Sequence, residues 1–277
     1  LTPLLFTLLL FTLSLGAGAL GALLGIGGGM LLVPLLTLGL GVDIRYAVGA
    51  SIVSVIATSS GAAATYVRER MANLRVAMFL EVGTTAGALT GAMLAGVLHG
   101  RWLYLLFGAV MAWSTAAMLW KLSARQEAPV PPDALADALA LHGSYPGGPG
   151  GREVSYRVTG TRTGLGLMYV AGAVSGLLGI GSGALKVPAM DLAMRLPVKV
   201  SAATSNFMIG VTAAASAGVY FARGDINPFV AGPVCAGVTL GAMGGTRLLG
   251  RLESRTVRAL FVVVLAWVAV QMLRKGW

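Results

Sequence analysis

The chain has 277 residues, of which 56% are hydrophobic and 11% are charged, against about 25% charged in an average soluble domain. So few charges exclude a soluble fold, and at roughly 20 apolar residues per transmembrane helix the length accommodates about eight to ten spans. The net charge of +10 and pI of 10.4 would suggest nucleic-acid binding in a soluble chain. Here most Lys and Arg lie between apolar runs, where they set topology, and no nucleic-acid partner is expected.

The apolar segments run Leu4–Leu24, Met30–Leu40, Tyr46–Val67, Asn73–Leu98 and Trp102–Leu122, then Thr163–Leu178, Ala184–Met194, Val200–Ala222, Asn227–Leu249 and Val257–Leu273. The first is too long for a typical signal-peptide core and lacks a basic leader, so it reads as a span. Between the two sets, residues 123–162 form a polar linker, with Pro129, Pro131 and Pro132 followed by a Gly-rich stretch. Its Ala-rich portion, Asp133–His142, suits a short surface helix. The predicted domains are therefore a first transmembrane repeat (1–122), the linker and a second repeat (163–277).

The halves match in sequence. Leu23-Leu24-Gly25-Ile26-Gly27-Gly28-Gly29 aligns with Leu177-Leu178-Gly179-Ile180-Gly181-Ser182-Gly183 at an offset of 154, and the same offset carries Pro34 onto Pro188, Ser51 onto Ser205, Thr58 onto Thr212, Tyr66 onto Tyr220 and Asn73 onto Asn227. Loop charges do not follow the same rule. Arg68, Arg70 and Arg75 follow the third segment of the first half, whereas Arg223 in the equivalent loop is offset by Asp225, and positives gather at Arg195, Lys199, Arg251, Arg255 and Arg258. Positive charge marks the cytoplasmic side, so equivalent loops face opposite sides. The expected fold is an all-α polytopic membrane protein of two inverted repeats, as in many secondary transporters, with the linker in the cytoplasm. The terminal Arg274 and Lys275 run against that pattern.

The glycine loops Gly25–Gly29 and Gly179–Gly183 each precede a short apolar segment containing Pro. Eleven helical residues rise only about 17 Å, too little to cross a core of about 30 Å. The loops therefore read as broken or re-entrant helices whose backbone N–H groups face an anion, or as tight packing turns. A G-x-G-x-x-G nucleotide site is not indicated, because the strand, helix and following acid are missing.

These paired loops, each leading into a Val-Pro pair (Val33-Pro34, Val187-Pro188), together with the small-residue runs Ala47–Ser51 and Ser201–Ser205 and the stretch Gly245–Gly250, resemble the sulfite exporter TauE/SafE family. The resemblance implies a multi-pass permease of the bacterial inner membrane for sulfite, organosulfonates or related sulfur anions. Ser182 and Lys186 break the symmetry between the halves and leave fine specificity open.

Lys186 stands where the first repeat has Leu32, so the scaffold does not require a cation there, and an intramembrane Lys points to function. Five residues after Gly181, it could neutralise a sulfonate or sulfite held over Gly27, Gly28, Gly29, Gly181, Ser182 and Gly183; the bland reading is a Lys that snorkels to the interface. Ser51, Thr204, Ser205 and Asn206 would add neutral donors, or serve as helix-packing glue. Glu81, whose repeat partner is Cys235, is a candidate coupling residue because a carboxylate at a low-dielectric site can carry a proton; otherwise it pairs with a loop Arg such as Arg75. Cys235 reads as a packing residue.

An intramembrane serine hydrolase built on Ser182 needs an adjacent base, and His99 and His142 lie outside the segment centres. No enzyme, metal or cofactor is expected. The partners are a small anion and membrane lipids, with a homodimer as a possible assembly. Export of one negative charge from an inside-negative cell releases about 2.3 kcal/mol per 100 mV, so export could run as a uniport. The alternatives are an anion channel or a proton-coupled importer of thiosulfate or a sulfonate.

Overall fold

The computed structural model describes residues 2–24, 28–68, 70–120, 132–146, 153–181, 183–249 and 254–277. The first half contains α1 (Pro3–Leu24), α2 (Gly29–Pro34), which runs on as a π-helical turn Leu35–Gly39, α3 (Ile44–Arg68), α4 (Leu74–Val97) and α5 (Gly100–Trp120). The second contains α7 (Thr161–Leu178), α8 (Gly183–Ala193), α9 (Val198–Ala222), α10 (Pro228–Leu249) and α11 (Ser254–Gly276). Between them stand α6 (Ala134–Ala138) and an antiparallel hairpin, β1 (Gly143–Pro146) with β2 (Glu153–Tyr156), pairing Gly143 with Tyr156 and Pro146 with Glu153.

Each apolar segment is helical over most of its described length, but only Pro3–Leu20 and Leu74–Val97, among the described residues, are long and apolar enough by themselves to cross a membrane. Polar residues on buried faces explain part of the difference. α3 carries Ser51, Ser54 and Ser59 and α9 carries Ser201, Thr204, Thr212 and Ser216, all buried; several return their hydroxyls to their own helix, as Ser54 does to the Ala50 carbonyl (2.9 Å) and Ser216 to that of Ala213 (3.0 Å). Large apolar side chains such as Val82, Met78, Phe221 and Phe229 are exposed, a surface suited to lipid.

Glycine fixes the tightest helix pairs. On α4, a Cβ at Gly87 or Gly91 would lie 2.0 Å from the carbonyl oxygen of Tyr169 or Ala173 on α7. On α10, a Cβ at Gly241 would lie 2.0 Å from the Leu15 carbonyl of α1. Gly87 and Gly241 are 154 positions apart, so equivalent residues make the α4–α7 and α1–α10 contacts. This is the close backbone approach small residues permit in membrane bundles.

Asn73 begins α4 by accepting the Val76 N–H on its side-chain oxygen (3.1 Å), which satisfies one of the helix's free donors. Within α2, Pro34 lacks the N–H for a helical bond, and the chain continues through the wider π turn. At the far end of α8 the Thr159 N–H donates to the Met194 carbonyl (3.2 Å). The start of α7 and the end of α8 thus lie side by side, so the two helices run as a hairpin.

One apolar cluster includes Leu32, Val48, Phe107, Met111 and Val238. A second joins Val76, Leu80, Met168, Met190 and Met208 to Ala136, Leu141 and Val158. Residues 132–146 and 153–160 are therefore docked on the bundle. Asp133 fastens them at two helix starts: Oδ1 accepts from Leu135 and Ala136 of α6, and Oδ2 from the N–H (2.9 Å) and hydroxyl (2.7 Å) of Thr161 in α7. Those donors hold the Asp133 carboxyl down to about 2, below its ordinary 3.8.

Candidate functional site

Ser51 joins the two glycine loops. Its hydroxyl, buried in α3, lies 2.7 Å from the Gly179 carbonyl and 3.2 Å from that of Gly29, within donating reach of both. A Cβ at Gly29 would fall 2.7 Å from this hydroxyl and 3.1 Å from the Gly179 oxygen, so the start of α2 and the end of α7 meet where only glycine fits. Gly179 and Gly181 have φ of 67° and 76°, the left-handed region that glycine enters without a Cβ penalty. Gly28, Gly29, Gly181 and Gly183 are buried around this junction; Gly27 and Ser182 lie outside the described residues.

Lys186 lies in the first turn of α8 after the second loop, with none of its surface exposed. It does not snorkel. Its Nζ donates to Thr212 Oγ1 of α9 at 2.6 Å, and Thr212 Oγ1 lies 2.7 Å from Glu81 Oε1 of α4. Thr85 also donates to Glu81 Oε1 (3.1 Å), while Glu81 Oε2 is buried without a partner. An ammonium, a hydroxyl and a carboxylate from three helices thus form one polar chain. Glu81 does not pair with Arg75, whose guanidinium instead donates to the Ala140 carbonyl (3.1 Å).

The repeat-related positions hold Leu32 and Thr58 in the first half and Cys235 in the second. Leu32 is buried in the apolar cluster, Thr58 returns its hydroxyl to the Ser54 carbonyl (3.0 Å), and Cys235 lines an apolar groove of about 610 Å³ with Val53, Ile226 and Leu240. The fold therefore accommodates an uncharged version of the same three positions.

The remaining donors on α9 separate. Ser205 Oγ is buried with no partner, in contrast to its repeat counterpart Ser51. Thr204 Oγ1 accepts the Asn73 backbone N–H (3.0 Å), and Asn206 returns its amide to the Ala202 carbonyl (3.1 Å). Asn73 also donates to Leu141 and Tyr156, so Thr204 belongs to the contact with the central segment. Burial pushes the Tyr156 phenol up. Sequence reasoning isolated Lys186 and Glu81 but not Thr212, which joins them. The available signal was the register: Thr212 is the repeat equivalent of Thr58 on the helix after the charged loop segment.

Among the described residues there is no group of three His, Cys, Asp or Glu side chains able to hold a metal ion. His142 Nδ1 accepts the Val158 N–H (2.9 Å), so Nε2 carries its proton toward Asp137 (2.7 Å). Its ring is thus engaged in the docked central segment.

The chain is 26% identical over 275 residues to a probable membrane transporter protein, YunE, of Bacillus subtilis (strain 168), covering 97% of both chains. It is 27% identical over 259 residues to a probable membrane transporter protein of Xylella fastidiosa strain Temecula1, covering 92% of this chain and 90% of that one. No solved structure matches it. The family model described as sulfite exporter TauE/SafE matches residues 10–272, and over that span this chain, with its paired glycine loops and buried polar chain, belongs to the sulfite exporter TauE/SafE family of membrane transporters.

Proposed function

We propose that the chain is a multi-pass inner-membrane permease for a small sulfur-containing anion, such as sulfite, sulfoacetate or another organosulfonate, held where the two glycine loops adjoin. The observation carrying this reading is the Ser51 hydroxyl within bonding distance of one carbonyl from each loop. Helix interruptions from both halves meet at one place, and irregular backbone at membrane depth is tolerated where it lines a site. Lys186 supplies positive charge after the second loop, and the unpartnered Ser205 hydroxyl supplies a donor. Backbone groups of Gly28, Gly29, Gly181 and Gly183 line the junction, while Thr204 and Asn206 support α9 beside it.

The two halves act as inverted repeats. Supporting this are the opposed loop charges and the reciprocal packing of α1 on α10 and α7 on α4 through equivalent glycines. Alternating access then amounts to one repeat rocking against the other around the loops.

The test is a binding screen of sulfite, thiosulfate, sulfate, taurine and sulfoacetate on purified protein. At least one sulfur oxyanion binds saturably to the wild type, and Lys186→Leu abolishes it. Equal binding to the variant would remove Lys186 from the site, and no binding by any of the five would remove the proposal. Counterflow in vesicles separates this permease from a channel, which shows none.

A further inference from the structure

The glycine-loop reading assigns Lys186 to the anion, yet Lys186 is already joined to a carboxylate. Its ammonium reaches Glu81 through one hydroxyl, Thr212, with bonds of 2.6 and 2.7 Å. The other ionisable groups on the elements packed against Glu81 are Arg162 and Tyr169 of α7, Lys199 and Tyr220 of α9 with Arg223 directly after that helix, and Asp191 of α8. Arg162 and Lys199 are exposed, Tyr169 is within bonding distance of Thr90, Tyr220 donates to the Gly176 and Leu177 carbonyls, and Arg223 pairs with Asp225. On α8, Lys186 reaches Glu81 through Thr212, and Asp191 lies five residues on, near the end of the helix.

With Lys186 charged and Glu81 ionised, the buried site is neutral before any substrate arrives. Adding a monovalent anion leaves one uncompensated negative charge, the arrangement that low-dielectric surroundings penalise most. A proton on Glu81 removes it. Glu81 Oε2 is buried with no partner among the described residues, so it is a carboxylate position that no described donor occupies. Once Glu81 is neutral, Thr212 no longer bridges opposite charges, and the Lys186 ammonium turns to the anion.

We propose that this chain moves a monovalent sulfur anion together with one proton, in an electroneutral step in which Glu81 takes the proton as Lys186 takes the anion. The balance is Lys186-NH3⁺ with Glu81-COO⁻, plus A⁻ and H⁺ from the same aqueous side, giving Lys186-NH3⁺ with A⁻ and Glu81-COOH. Release on the other side reverses both steps. The repeat-related positions, Leu32 and Thr58 of the first repeat and Cys235 of the second, carry no equivalent pair, which sets the ratio at one proton per anion. The inference rests on the permease reading and deepens it. It replaces a uniport driven by membrane potential with a carrier driven by the anion and pH gradients.

The test measures steady-state accumulation in proteoliposomes of two monovalent probes, isethionate and hydrogensulfite, with potential and pH gradient imposed separately. Wild-type accumulation changes about tenfold per pH unit of gradient and does not respond to potential. In Glu81→Gln the anion moves alone and accumulation follows potential, about 50-fold per 100 mV, with no response to pH gradient. Saturable wild-type flux whose accumulation tracks potential overturns the coupling while leaving the permease reading intact. Absence of saturable flux of either probe overturns both. The wild-type measurement decides the matter even if Glu81→Gln fails to insert.

Discussion

Lys186→Leu strands the carboxylate at the end of the polar chain. Thr212 loses the ammonium that donates to it, and Glu81 keeps only hydroxyl partners on Oε1. Removing one member of a buried ion pair costs about 3–5 kcal/mol, which at roughly 2–4 °C per kcal/mol for a chain of this class lowers Tm by about 6–20 °C. The repeat-related positions supply the compensating change. Adding Glu81→Cys to Lys186→Leu reproduces the uncharged set already present at Leu32, Thr58 and Cys235, so the double variant recovers to within about 1 kcal/mol of the wild type. Thermal unfolding in one detergent, for the wild type, both single variants and the double, gives the coupling energy directly. Additive single losses would show that Thr212 does not transmit a charge interaction; an unchanged Tm in Lys186→Leu would show that the ammonium leaves the pocket.

Gly87→Leu places side-chain atoms where a Cβ alone falls 2.0 Å from the Tyr169 carbonyl; α4 and α7 separate, and well above the usual 1–3 kcal/mol of overpacking is lost, read as loss of folded protein in detergent. Ser51→Ala removes a hydroxyl that joins the loops and costs about 1–2 kcal/mol, whereas Ser205→Ala, which breaks no bond within the protein, leaves Tm unchanged and weakens anion binding; the reverse pattern contradicts the roles assigned. Asp133→Asn weakens caps on α6 and α7 by about 1 kcal/mol at neutral pH, visible as faster hydrogen exchange at the Thr161 amide. Because the folded Asp133 carboxyl titrates at about 2, below its ordinary 3.8, its contribution is full above 3.8 and fades as pH falls through 2. The exchange difference between Asp133→Asn and the wild type therefore closes only in that acid range.

The helices were legible because each apolar segment is bounded by Pro, Gly, Asn or charge, as Asn73 bounds α4. The buried Lys186 was legible as a break in the repeat, Lys where the first half has Leu. The connection to Glu81 was not, because their meeting depends on how α4, α8 and α9 pack, and neither linear spacing nor the register of the duplication encodes a contact between positions 81 and 186. The same limit applies to Ser51 and Ser205. Alike in sequence, they differ in the structure because one faces carbonyls of both loops while the other faces none. The short helix after Pro132 was legible in the Ala-rich stretch Asp133–His142, but the hairpin that follows it, and the docking of both on the bundle, were obscured by the proline- and glycine-rich sequence around them.

The most direct test of anion recognition at the glycine loops is saturable sulfite flux in proteoliposomes containing the wild type or the refolded-site variant Lys186→Leu/Glu81→Cys. That variant keeps the fold while losing the charge. The account predicts saturable wild-type flux and at least a hundredfold loss in the variant, a factor equivalent to about 2.7 kcal/mol. Equal flux through a correctly folded double variant would contradict it.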